Sequence, residues 1–164
     1  MESKLSNEIP PKSTKDHTKC PMRYPLSGLQ RECYKTKSGK TLSDKQWAIY
    51  DYVRTIPCGK VTTYKSIADA LGFGSARSVG GAMRNNPFAP YVPCHRVIAS
   101  NLFIGGFYGE WGIELSKKSA SSGKRLSNRD TVPCQKKMRM LKDEGVKFSK
   151  DGYLVDKEHL WNGN

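Results

Sequence analysis

The chain has 164 residues and carries 28 lysines and arginines against 15 acids, a net charge of +13. That length sets one domain of ordinary size, and positive charge spread over every segment points to a polyanionic partner. No apolar run is long enough to span a membrane, and an odd number of widely spaced cysteines without a CxxC pair argues against a disulfide framework and for a reducing compartment.

Residues 1–41 are rich in Lys, Ser, Thr and Pro and poor in aliphatics. This is the composition of a flexible basic tail, which cannot offset its ordering entropy by burial. His17, Cys20 and Cys33 offer three metal-ligand side chains within it, but a closed zinc site needs four at tight spacing, so no metal is expected. Order begins near Leu42. Ser43 followed by Gln46 is a capping-box signature; Trp47, Tyr50 and Val53 then recur at helical spacing until Pro57 stops the run. After a turn at Cys58-Gly59-Lys60, Thr63 caps a second helix with Ile67, Ala68 and Leu71 inward and Gly72 closing it. Ser75 caps a third over residues 76–85, which Pro87 ends.

Two short helices joined by a Gly-containing turn form a helix-turn-helix pattern, although an ordinary packed helix pair produces the same signal. Gly80 and Gly81 favour a special role, because each costs about 1 kcal/mol against alanine inside a helix. Something must need a surface bare of side chains there, either a packed helix or a nucleic-acid backbone. Arg77 lies one turn before them. Further on, residues 111–133 are basic and low in complexity, a flexible insertion. A helix resumes near Pro133 with Cys134, Met138 and Leu141 on one face and Gly145 ending it. Asp151-Gly152, between Val146–Phe148 and Tyr153–Val155, is a strong hairpin signal, and Asp156 caps a last turn before Leu160-Trp161. The fold class read from this order is mostly α with a small β-hairpin: a winged-helix-like helix-turn-helix domain over residues 42–164 behind a flexible N-terminal tail.

The chemistry centres on Pro93-Cys94-His95-Arg96-Val97. A free cysteine is ordinarily a small buried hydrophobe, and that reading, or plain surface exposure, suffices for Cys20, Cys33, Cys58 and Cys134. Cys94 differs, because Pro93 fixes its approach and His95 supplies a base next door. An unassisted thiol is only a few per cent thiolate at neutral pH; ionising it takes a pKa lowered by about 2 units, roughly 3 kcal/mol. An imidazole base works best when a carboxylate holds its tautomer, and Glu144, at the end of the late helix, is the candidate orienter. Consecutive side chains often diverge, so His95 would act through a water. A Cys–His pair of this kind also suits a thiol hydrolase with turnover.

Taken in order, Lys60-Val61-Thr62-Thr63-Tyr64, Ala76-Arg77-Ser78-Val79-Gly80-Gly81-Ala82-Met83-Arg84, Asn86-Pro87 and Pro93-Cys94-His95-Arg96-Val97 closely resemble the methylated-DNA–protein-cysteine methyltransferases, suicide repair proteins for 6-O-alkylguanine in DNA. The match covers about residues 43–110 and resumes at 134–161, with Lys137 and Asp143-Glu144-Gly145 in the expected helix. The resemblance implies that Cys94 is the alkyl acceptor, that His95 takes its proton through a water with Glu144 completing the relay, and that Asn86 is the hinge between recognition helix and active-site segment. It also implies that Tyr64 crowds a DNA phosphate and assists the departing guanine, and that Arg77 fills the vacated place in the base stack. Ser78, Gly80, Gly81, Ala82, Arg84 and Arg96 would contact DNA, with the third helix in the minor groove. No cofactor and no metal are implied, and the partner would be double-stranded DNA carrying alkylated guanine, met by a monomer. A nuclear location follows from that substrate and the basic tail.

The match has departures. The first 41 residues are too few and too polar for the family's usual amino-terminal domain. Phe107-Tyr108 and the insertion stand where relatives have a tyrosine and a short loop. The stretch from Glu144-Gly145-Val146 to Leu160-Trp161 is more similar to the alkyltransferase-like proteins, which bind alkylated DNA and lack the acceptor cysteine. The alternative is therefore a lesion-binding protein that transfers nothing; the presence of Cys94 favours transfer.

Overall fold

A computed structural model describes residues 15–106 and 133–163. The expected insertion, apart from its last residue, lies outside the described residues, as do residues 1–14 and the Phe107-Tyr108 pair.

The helices stand where their caps put them. The Ser43 side chain accepts from the Gln46 backbone N–H and the Gln46 side chain reaches back, starting the helix Asp44–Arg54. Thr63 caps the helix Tyr64–Leu71, which ends on Gly72 in the left-handed conformation at φ 68°. Ser75 caps the helix Ala76–Arg84. In chain order the elements are α1 (Gly28–Cys33), α2 (Asp44–Arg54), β1 (Thr62–Thr63), α3 (Tyr64–Leu71), α4 (Ala76–Arg84), a 3₁₀ turn at Cys94–Arg96, β2 (Val97–Ile98), α5 (Pro133–Asp143) and a 3₁₀ turn at Lys157–His159. The sheet is small and parallel, pairing Thr62 with Val97 and Thr63 with Ile98.

Two apolar clusters flank that sheet. One joins α2, α3 and α4 through Trp47, Tyr50, Ile67, Val79 and Met83 and includes Cys94. The other joins Val61, Ile98 and Ile104 to Leu141 of α5, with Val146 and Leu154. The 3₁₀ turn that carries Cys94 and the β2 strand that follows it bridge the two clusters, so the chemistry sits at the seam.

The β-hairpin forms at its smallest size: Phe148 and Leu154 make one isolated antiparallel bridge, flanked by bonds from Ser149 N to Tyr153 O at 2.7 Å and from Val155 N to Lys147 O at 3.1 Å. The Asp151-Gly152 turn closes it, with Gly152 at φ 87°, and Phe103 bridges Tyr153 from the opposite edge. One expectation is corrected. The flexible tail is replaced, over residues 15–41, by packed chain. Tyr24 is buried, and its ring meets Phe88 edge-on at 4.8 Å and Trp47 at 5.9 Å. Tyr34 lies 5.0 Å from Phe88. Arg31 stacks over Trp47 at 4.9 Å and pairs with Asp51, while Arg54 covers Tyr24 at 4.2 Å. A few aromatics and cations anchor this segment despite its polar composition, because rings bury large area and attract guanidinium groups.

Phe88 is the hub of this stack. We expect Phe88→Ala to cost about 3–5 kcal/mol in denaturant unfolding and to expose residues 15–41 to limited proteolysis. A loss below about 1 kcal/mol would contradict the packing described.

Candidate active site

Cys94 and His95 belong to one tight turn. Pro93 precedes it, and the Arg96 N–H closes it on the Pro93 carbonyl at 2.9 Å. Cys94 retains only 5% exposure. Burial pushes its thiol above the ordinary value, against the Asn86 side-chain amide, the Lys137 charge and the backbone N–H groups of Cys94 and His95, all of which favour the thiolate. At rest the sulfur is therefore protonated, yet surrounded by groups ready to receive a negative charge.

His95 is fully buried. Its Nε2 lies 2.8 Å from Glu144 Oε1, so with Glu144 ionised Nε2–H donates and Nδ1 carries the lone pair. Burial holds the imidazole below its ordinary value of 6.5, outweighing Glu144, with Arg96 and His17 pushing the same way as burial. Nδ1 has no hydrogen-bond partner among the described residues. The ring is thus a neutral base with one nitrogen engaged and the other available.

Glu144 is held in turn by Arg96, which donates from Nε to Oε2 at 2.9 Å and from Nη2 to Oε1 at 2.8 Å. Arg96 also donates from Nη1 to Ile56 O at 2.8 Å and from Nη2 to Asp16 Oδ1 at 2.9 Å. Burial would raise the Glu144 carboxyl, but bonds from His95 and Arg96 hold it below the usual carboxylate value. Gly59 closes the cage. A side chain there would meet the Glu144 carbonyl at 3.1 Å and would be strained at φ 79°. Its carbonyl accepts from His159 Nδ1 at 2.7 Å.

Asn86 links the site to α4. Its Nδ2 donates to Val92 O and its Oδ1 accepts from Phe88 N, both at 2.9 Å. Lys137, fully buried on α5, donates to Val97 O and Ile104 O at 2.6 Å each and to Gly106 O at 3.3 Å. Tyr64 opens α3 and is mostly buried, with its hydroxyl donating to Gly106 O at 3.3 Å and its ring 5.9 Å from the Lys137 ammonium.

The α4 helix turns one face inward and one outward. Val79, Ala82 and Met83 are buried; Arg77, Ser78, Gly81 and Arg84 are exposed. A Cβ added at Gly80 or Gly81 would meet nothing within 4 Å. The fold itself therefore does not require glycine at either position.

The family model for the DNA-binding domain of 6-O-methylguanine DNA methyltransferase matches residues 44–146. The chain belongs to this family. A Candida glabrata protein named methylated-DNA–protein-cysteine methyltransferase is 39% identical over 94 residues, 52% of this chain and 44% of that protein. One of the same name from Saccharolobus islandicus is 53% identical over 70 residues, 43% of this chain and 44% of its own. The chain thus spans less than half the length of these relatives. The solved structure of Schizosaccharomyces pombe Atl1 with damaged DNA containing O6-carboxymethylguanine is 30% identical, with a TM-score of 0.51, over 74% of this chain and 98% of that one.

Of the site residues expected from sequence, the fold brings Cys94, His95, Glu144, Asn86 and Tyr64 together around the turn, and leaves Arg77, Ser78, Gly80, Gly81 and Arg84 along α4. Two expected DNA contacts are corrected. Arg96 is 2% exposed and spends its guanidinium on Glu144, Asp16 and Ile56, so it is a structural partner of the acid. Ala82 is 4% exposed, and its carbonyl accepts from the Tyr50 hydroxyl at 2.9 Å, so it belongs to the core. The Ser78 hydroxyl accepts from Ser75 N and donates to Ser75 O, serving the helix cap.

Two contributors escaped the residue-level reading. Lys137 is one; its signal was a lysine on the same helical face as Met140, Leu141 and Glu144. Asp16 is the other, and nothing local in the sequence marks it.

Both His95 and Glu144 titrate below their ordinary values of 6.5 and 4.5. The unfolded chain then binds more protons than the folded one as pH falls, so their contribution is lost downward, first below 6.5 and then below 4.5. We expect the melting temperature to fall in those two windows, and Glu144→Gln to flatten the lower one. An unchanged lower limb would contradict the burial of Glu144 as a carboxylate.

Proposed function

We propose that the chain repairs alkylated DNA by moving the alkyl group of 6-O-alkylguanine onto its own Cys94, once per molecule. The observation that carries this reading is the convergence on one buried sulfur of an amide donor, a buried ammonium and two backbone N–H groups, with the next residue's imidazole buried and held by a carboxylate. Curated relatives bear the name of this activity, and Atl1, which the chain covers almost completely, is solved with damaged DNA.

The steps follow from the groups present. The reactive carbon lies inside a duplex, so the nucleotide is extruded at a cost of a few kcal/mol, which Arg77 on the exposed face of α4 offsets by entering the stack. His95 Nδ1 takes the Cys94 proton through one water. Sulfur attacks the alkyl carbon, a C–S bond forms as the C–O bond breaks, and Tyr64 gives the departing guanine its proton. A thioether is not cleaved by water as a thioester is, so no second step regenerates the thiol. The reading includes a monomer acting on double-stranded DNA and a nuclear location.

The bare face of α4 supports a minor-groove role. Alanine at Gly80 or Gly81 has room within the fold and should stabilise the protein by up to about 1 kcal/mol each. The same methyl groups would stand between helix and duplex. We expect each variant to melt higher and to bind methylated duplex more weakly; unchanged affinity would remove α4 from the interface.

Lys37 and Lys40 line a cavity of about 690 Å³ together with Asn85, Asn86 and Pro87 at the end of α4. A duplex along α4 would pass their ammonium groups. Replacing both with alanine should flatten the salt dependence of binding, by about 0.9 in log–log slope for each phosphate that is no longer neutralised. An unchanged slope would show that this edge does not touch DNA.

The transfer itself is tested by intact-mass analysis after incubation with a duplex containing 6-O-methylguanine. Cys94 should exchange its thiol hydrogen for one methyl group, and Cys94→Ala should bind without exchange. Binding by the wild-type chain with no adduct would establish the Atl1-like alternative, lesion recognition without repair.

A further inference from the structure

The segment expected to be a loose tail reaches the back of the catalytic network. The Lys15 N–H donates to the Asp143 carbonyl at 3.1 Å, and His17 Nε2 sits 3.2 Å from the Asp143 carboxylate. The His17 ring stands edge-on to the His95 ring, centroids 6.1 Å apart. Between them, Asp16 Oδ1 accepts from Arg96 Nη2 at 2.9 Å. Thr18 holds that same oxygen, from its hydroxyl at 2.7 Å and its N–H at 3.0 Å. Three consecutive residues, far in sequence from the chemistry, clip onto the end of α5 and onto the residue after the general base.

Charge counting gives the contact a purpose. Arg96 forks onto Glu144 with two bonds, so its positive charge offsets that of the acid facing His95. A proton arriving at His95 would then leave the buried trio of His95, Glu144 and Arg96 with a net positive charge, a costly state away from water. Asp16 adds a carboxylate on the far side of Arg96 and brings the group to neutrality. Desolvation would raise its carboxyl, but bonds from Thr18 and Arg96 hold it below the usual value, so it is ionised at neutral pH. Among the described residues, His17 on the strap is the further titratable group that acts on His95, Cys94 precedes it on its own turn, and Cys58 lies beside Asp16 and Glu144. The cluster of Asp16, Cys58 and Glu144 is explained by the guanidinium between the two carboxylates.

We propose that Asp16 is a positioning residue for the transfer, acting through Arg96 to balance the imidazolium that forms when His95 accepts the Cys94 proton. The strap of residues 15–18 is thereby part of the catalytic unit. The role rests on the methyl-transfer reading above, but its first test does not.

The experiment uses the full chain and three variants, Asp16→Asn, Asp16→Glu and Thr18→Val. The His95 imidazole is titrated by nitrogen NMR without DNA, and the rate of methyl transfer from a methylated duplex is followed across pH, with melting temperature and duplex affinity as controls. Asp16→Asn should make His95 harder to protonate by about one pKa unit, and should slow transfer about tenfold near neutral pH at unchanged duplex affinity. Thr18→Val should fall between it and wild type, and Asp16→Glu should restore both readings. A His95 titration and a transfer rate both equal to wild type in Asp16→Asn would overturn the role. So would a slowing that only tracks the unfolded fraction, or a glutamate that fails to rescue a folded protein. If wild type itself transfers no methyl group, the functional reading falls, while the His95 titration still decides whether Asp16 sets its basicity.

Discussion

One carboxylate organises the site. Glu144 receives the Nε2 edge of His95 on one oxygen and the fork of Arg96 across both. Were it displaced, the imidazole would lose its tautomer and the guanidinium would be left buried without its main counter-charge, a penalty of several kcal/mol. The remaining architecture serves to keep that acid in place. α5 ends at Asp143 and delivers Glu144 beneath the turn, Gly59 lets the chain approach it without a side chain, and His159 fixes the Gly59 carbonyl from the C-terminal segment.

The same economy joins α4 to the Cys94 turn. Asn86 follows the bare helix directly and ties its own loop together with both ends of its amide, while that amide also faces the sulfur. Phe88, two residues on, anchors the aromatic stack that fastens residues 24–34. α4 is therefore connected to the Cys94 turn through a single short loop, and to the N-terminal segment through one ring. Lys137 secures the opposite wall by tying the carbonyls of residues 97, 104 and 106 to α5.

Local chemistry was readable where a short-range rule governs it. Ser43, Thr63 and Ser75 cap the helices they were expected to cap, and Gly72 closes its helix, because caps depend on three or four neighbouring residues. Cys94, His95 and Glu144 stood out because their residue types suit one reaction, and the structure unites the last two across 49 positions. The failures were of long range. A tail judged by its few aliphatics was held by Tyr24, Tyr34 and Arg31 against partners it could not name. Arg96 and Ala82, drawn into the DNA face by their motif, turn inward because the register of a turn and of a helix face is set by packing. The hairpin gained a third neighbour on its far edge, the segment around Phe103, which lies distant in sequence.

The proposed chemistry turns on the resting state of one imidazole. Nitrogen-detected NMR of histidine-labelled protein at neutral pH, with His95 assigned by substitution, reads that state directly. It should show a neutral ring protonated on Nε2 with Nδ1 bare, and the Nε2 proton should lose its hydrogen-bonded shift in Glu144→Gln. A ring protonated on Nδ1, or carrying both protons, would mean that the acid does not prepare the base, and the mechanism derived from it would fail.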